Sequence, residues 1–373
     1  MESFKFLSKE VIDGIEDIKF FDALNQKGGK PMKKSFIVIT VLFLMILFGM
    51  GKDSHAQTMK PIELKLSHWM SPMHTLHVEV FTPFAKEVGE RTKGRVKITI
   101  YPGEALGKAK DHYDMATHGI TDIALFIQGY TAGRFPLTSV IELPIQIPSA
   151  KVGSRVIWGL YDKYLKQEYS GVKLLTLWVH DPGHIHMTKR PVRTLDDIKG
   201  LRLRSPGPQQ AALLRELGVS PLTMPIPELY DALQKGMADG CVIPFSAVRD
   251  FKLYELLRHH TLSDLYTMAM GVAINLKTWN SLPPDIQKII DELGGSRMSE
   301  MAGVAFDKYD QLGKEAAKKA GAEIYSLPSE QKKIWADRIK PLNEKWVADM
   351  EVKGLPGKKI FEDARLLLEK YSR

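Results

Sequence analysis

The sequence predicts an α/β fold with more than one core, on three observations. Apolar and β-branched runs alternate with segments whose apolar residues recur at helical spacing. The chain has 373 residues, long enough for two lobes with separate interiors. Two junctions also echo each other: THGITDIALF at 117–126 and QKGMADGCVI at 234–243 both run helix, glycine, two residues, aspartate, apolar strand. Glycine supplies the left-handed residue that ends a helix, and aspartate ties the turn that follows. Turns between helix and strand favour these residues anyway, so the pair reads either as one plan used twice or as two independent turns.

Taken in order, ELKLSH (63–68) reads as a strand. Phe81, Phe84, Ala85 and Val88 then mark an amphipathic helix, with a kink expected at Pro83. RVKITIY (95–101) alternates as a strand, a helix covers about 107–118, and TDIALFI (121–127) is apolar on both faces, as a buried central strand requires. KLLTLWVH (173–180), HIHMT (184–188) and LRLRS (201–205) read as strands. Helices follow at 208–217 and 227–235, then an apolar strand within 238–244. GVAINL (271–276) returns to strand character, so the chain is expected to cross back to its first lobe there. LPPDIQKIIDEL (282–293) places proline at a helix start, and the rest reads as helix up to the C-terminus.

Composition narrows the class. A 44% hydrophobic and 26% charged chain is ordinary for a globular protein and excludes wholesale disorder. The segment from Met32 has two lysines, an apolar run over 36–50, and Ser54-His55-Ala56. Those are the parts of a secretory signal peptide, with cleavage expected after Ala56. The run is shorter than the roughly 20 residues that span a bilayer. Residues 1–31 are expected to be an extension upstream of the true start at Met32. The net charge of +8 favours anionic small molecules, and the cations are spread among acids without the clusters of a nucleic-acid groove. The single cysteine, Cys241, can form no internal disulfide and reads as core.

No catalytic or metal constellation emerges. GEALGK (103–108) is one residue short of a phosphate loop, and Ala109 stands where the magnesium-binding hydroxyl belongs. His68, His74, His77, His180, His184, His186, His259 and His260 show no spacing that converges three ligands. No cofactor, no metal and no enzymatic activity are expected. Binding remains. In KGLRLRSPG (199–207), Arg202 and Arg204 share a strand face, and Arg204 sits at the end that meets the Pro-Gly turn. Strand ends of this kind face the crevice where open α/β sheets bind ligands. Trp69, Met70, Gln128 and Phe245 also follow strands and are candidate wall residues on the same ground.

From about 62 to 350 the chain resembles the DctP-type substrate-binding proteins of tripartite ATP-independent periplasmic (TRAP) transporters. The matching pieces are FAKEVGERTKGRVKITIYPGEALG (84–107), HGITDIAL (118–125), RPVRTLDDIKGLRLRSPG (190–207), ELYDALQKGMADG (228–240) and NLKTWNSLPPDIQKII (275–290), in the family's order. The resemblance implies a two-lobed periplasmic-binding-protein fold of the Venus-flytrap kind, with a helical C-terminal tail. It places lobe 1 at 60–180 with 270–305, lobe 2 at 181–269, and C-terminal helices at 306–373. It implies a periplasmic protein that captures a small organic acid and delivers it to a TRAP-type permease; an extracytoplasmic sensor for a histidine kinase is the alternative. Dimerisation through the C-terminal helices is compatible with it.

The family's arginine that pairs with the ligand carboxylate falls on Arg204, not Arg202. His184 stands where some acid-binding members have a second arginine, Ile243 where sialic-acid binders have asparagine, and Ile226 where an aromatic residue is frequent. These departures point to a less hydroxylated, more hydrophobic monocarboxylate.

Overall fold

The computed structural model describes residues 60–373, so the expected signal peptide and the extension before it lie outside the described residues. Among the described residues eleven strands form two sheets. The first contains β1 (Ile62–Ser67), β2 (Val96–Tyr101), β3 (Ile123–Ile127), β4 (Val172–Val179) and β10 (Ala269–Asn275), in the order β2-β1-β3-β10-β4. β1 pairs in parallel with β2 and β3, while β10 runs antiparallel between β3 and β4. β3 reads IALFI and is buried at every position, as its continuous apolar run requires.

The second sheet contains β5 (Gly183–Met187), β6 (Arg202–Ser205), β7 (Ser220–Thr223), β8 (Gly240–Ile243), β9 (His259–Tyr266) and β11 (Glu323–Ser326), ordered β11-β9-β5-β8-β6-β7. The chain passes from the first sheet to the second between β4 and β5 and returns between β9 and β10, each time through a few residues. A third connection is the helix Gly295–Lys319, which packs on β4 of the first sheet and on the helix Phe245–Asp250 beside the second. Gly313 makes that second contact possible: a Cβ there would lie 2.0 Å from the Phe245 carbonyl oxygen. The helices Ser329–Ile339, Pro341–Val352 and Gly357–Ser372 close the chain. Among the described residues no helix is long and apolar enough to cross a membrane.

The two echoing junctions have the same build. Gly119 and Gly236 are both left-handed, with φ of 72° and 67°. Asp122 accepts the Lys65 backbone N–H of β1 at 2.8 Å, and Asp239 accepts the Arg202 backbone N–H of β6 at 2.9 Å. Each aspartate thus anchors the parallel strand beside its own, which identifies one plan used in both sheets. Pro83 lies inside a continuous helical stretch, and the irregularity falls just before it: a π-helical turn at His77–Phe81 runs directly into the helix Thr82–Arg91, where a regular α-helix would need the N–H that proline lacks.

Candidate ligand-binding site

β6 is short, and its two arginines meet opposite surroundings. Arg202 opens the strand at the sheet margin. Its Nε and Nη2 reach the Asp239 carboxylate at 3.2 and 2.6 Å, and Nη2 also reaches the Gly236 carbonyl at 2.9 Å. Its side chain is 49% exposed. Arg204, one pleat further on, is 2% exposed. Its Nε donates to the Met224 carbonyl at 2.9 Å, while Nη2 is buried with no partner among the described residues. A buried guanidinium without an acceptor is costly unless an anion arrives to fill the place.

That guanidinium lines a small cavity walled by both halves of the molecule. Trp69, Met70, Ile127 and Tyr130 come from the ends of β1 and β3 in the first sheet, and Ile226, Ile243 and Pro244 from the second. Met268 and Met270 stand at the return crossing.

The few polar groups on the wall are mostly committed. The Tyr266 hydroxyl donates to the Val242 carbonyl at 3.0 Å, and the Ser246 hydroxyl donates to the Asp181 carboxylate. His74 accepts the Leu76 N–H on Nδ1 at 3.1 Å and turns Nε2 toward Asp250 at 3.4 Å. Burial, with a contribution from the Arg204 charge, holds the His180 pKa at about 4. Burial pushes the Cys241 thiol up to about 12, so it is no nucleophile.

Both sheets' elements touch each other across the cavity. The Tyr130 hydroxyl accepts the Ile226 N–H at 3.0 Å. Thr75 donates its backbone N–H and hydroxyl to Asp250 Oδ2 at 3.1 and 2.6 Å. Gln210 donates to Glu142 at 3.2 Å, and burial raises the Glu142 pKa to about 7. The two halves are closed on each other.

Of the residues singled out in the sequence, the structure brings Trp69, Met70, Arg204, Ile226 and Ile243 onto this one wall. Three lie elsewhere. His184 points to the far side of β5, where Nδ1 accepts the Ser263 and Asp264 N–H groups at 3.2 Å each and the ring packs on Phe245. It does not stand in for a second ligand arginine. Phe245 begins a helix after Pro244, and its ring turns away from the cavity into the cluster with His184, His186 and His260. Gln128 opens a 3₁₀ turn and donates to the Tyr169 hydroxyl at 3.0 Å, lining a separate recess. Sequence reasoning missed Tyr130, Tyr266 and His180 as wall residues. His180 directly follows β4, and the same strand-end rule that selected Trp69 would have found it. Among the described residues no group of three or more histidine, cysteine, aspartate or glutamate side chains could hold a metal ion.

Two lobes closed over a mostly apolar cavity, with a buried guanidinium that has no acidic partner among the described residues, define a binding protein for small anions. Residues 66–349 match the model of the bacterial extracellular solute-binding protein family 7, the DctP family, and the chain belongs to it. A TRAP solute-binding protein from Rhodoferax ferrireducens, solved with copurified benzoate, is 33% identical. It superposes with a TM-score of 0.81, covering 83% of this chain and 98% of that one. A marine metagenome TRAP protein described as specific for aromatic acid ligands, solved with 3-hydroxybenzoate, is 29% identical with a TM-score of 0.81, covering 84% and 99%. The C4-dicarboxylate-binding periplasmic protein DctP of Rhodobacter capsulatus is 27% identical over 76% of this chain and 86% of its own.

Proposed function

We propose that the protein captures a small apolar monocarboxylate, an aromatic acid fitting best, and hands it to a TRAP-type permease. The buried, unpaired Nη2 of Arg204 in a mostly apolar cavity carries the reading. A planar guanidinium matches a carboxylate and stays charged at any physiological pH. Ile226 and Ile243 offer nothing to the hydroxyls of a sugar acid but suit a ring. The neighbours solved with benzoate and 3-hydroxybenzoate support the same class.

Binding works by closure: only the closed form contacts ligand from both lobes, so ligand shifts the population toward it. The protein acts in the periplasm after loss of a leader ending at Ala56, and it catalyses no reaction. No observation favours the sensor alternative. Calorimetric titration with benzoate, mandelate, galactonate and sialic acid tests the reading. Benzoate or mandelate should bind at micromolar concentration or tighter; tight binding of sialic acid or galactonate with none of the aromatic acids would overturn it.

A further inference from the structure

We propose that His180 reads a hydroxyl on the captured acid, so that the preferred ligand carries one O–H donor besides its carboxylate. The inference rests on the reading above, in which the carboxylate occupies Arg204. His180 follows β4 at the crossing between the lobes and lines the same cavity while being 4% exposed. Its Nδ1 lies within hydrogen-bond distance of the Asp181 carbonyl. A carbonyl oxygen only accepts, so Nδ1 carries the proton.

A neutral imidazole has one N–H, which leaves Nε2 as a bare lone pair. Nε2 makes no side-chain hydrogen bond among the described residues and is not one of the fully buried atoms left without a partner, so it stays reachable from the cavity that His180 lines. The ring cannot easily turn to hide it. It stands edge-on to Tyr266 at 5.4 Å and 89°, and the Tyr266 hydroxyl is itself tied to Val242.

A second proton on His180 is opposed chiefly by burial, which outweighs the hydrogen bond to the Asp181 carbonyl that favours it, and the Arg204 charge adds to the opposition. The nearest carboxyl, Asp181, has its own pKa raised by burial and is engaged by the Ser246 hydroxyl and backbone N–H. The cavity therefore offers an unpaired cationic donor at Arg204, an unpaired indole N–H at Trp69 and, as its one neutral imidazole acceptor without a bond among the described residues, Nε2 of His180. An unsubstituted acid leaves the acceptor dry and unbonded, which is costly. A second carboxylate would face a lone pair and be rejected. A hydroxy acid satisfies both positions.

The test compares mandelate with phenylacetate and 3-hydroxybenzoate with benzoate by calorimetry, in the wild type, His180→Leu and His180→Gln. At least one hydroxy acid should bind about tenfold or more better than its unsubstituted partner in the wild type. That ratio should fall to near one in His180→Leu and recover in part in His180→Gln, which keeps an acceptor. Titrations in buffers of different ionisation enthalpy should show no net proton uptake near neutral pH. Equal affinities within both pairs, a preference that survives His180→Leu, or uptake of one proton on binding would each overturn the inference. Failure of all four acids to bind would instead refute the apolar-carboxylate reading on which it rests.

Discussion

Replacing Arg204 with methionine removes the guanidinium and keeps most of the stem's packing. Removing the ligand's cationic partner leaves a carboxylate buried in an apolar cavity with only neutral donors, the Tyr130 hydroxyl and the Trp69 indole N–H, within the same wall. Truncating one side of a buried charge pair costs about 2–5 kcal/mol, or roughly 30-fold to several thousand-fold in affinity. The free protein should respond in the opposite direction. Arg204 is 2% exposed with Nη2 unpaired, so deleting it relieves a desolvation cost and the melting temperature should hold or rise. Calorimetric titration with benzoate and thermal unfolding without ligand read both quantities. Arg202→Ala is the control: its ion pair with Asp239 is 49% and 33% exposed, so solvent screens it, and affinity should stay within about threefold. Comparable affinity losses in the two variants, or benzoate binding retained by Arg204→Met, would refute the reasoning.

Acid should destabilise the protein. Burial holds the pKa of His68 at about 3 and those of His180, His184 and His260 at about 4, all below the ordinary 6.5. The unfolded chain protonates first, so stability present above pH 6.5 is lost as pH falls, up to about 2 kcal/mol per residue near pH 5; a melting temperature flat between those values would contradict this. Glu142, raised to about 7, works the other way, so the melting temperature of Glu142→Gln relative to wild type should climb as pH rises through 7, and a constant difference would argue against its burial. Thr75→Val removes a 2.6 Å bond to Asp250 across the lobes and should weaken ligand binding by about tenfold in titration, with small-angle scattering showing a more open free form. Gly313→Ala drives a Cβ into the Phe245 carbonyl and should lower stability by at least about 1–3 kcal/mol in calorimetric unfolding.

Most of what positions the site was legible in the sequence. Strand ends gave Trp69, Met70 and Arg204, because an apolar run that stops at a turn must release its last side chains at the crevice. The same rule separated Arg204 from Arg202, which begins the strand and finds Asp239 instead. Other elements left no such trace. β7 is four residues with a proline on a half-exposed edge, β11 is another four-residue edge strand, and β9 reads HHTLSDLY with little alternation. The helix Ala150–Leu160 also went unread, although it packs against β4. His184 was misplaced because period two puts it on one face with His186 but cannot say which face meets the cleft; pairing with β8 and β9 decides that. Phe245 and Gln128 obeyed the strand-end rule in position only, since each begins a helical turn that swings its side chain back into packing.

A crystal structure of the protein with benzoate tests the central claim most directly. The carboxylate oxygens should lie within hydrogen-bond distance of the Arg204 guanidinium, with Nη2 no longer unpaired and the ring against Trp69, Ile226 and Ile243. A bound acid whose carboxylate meets other donors, with Arg204 left untouched behind the cavity wall, would contradict it.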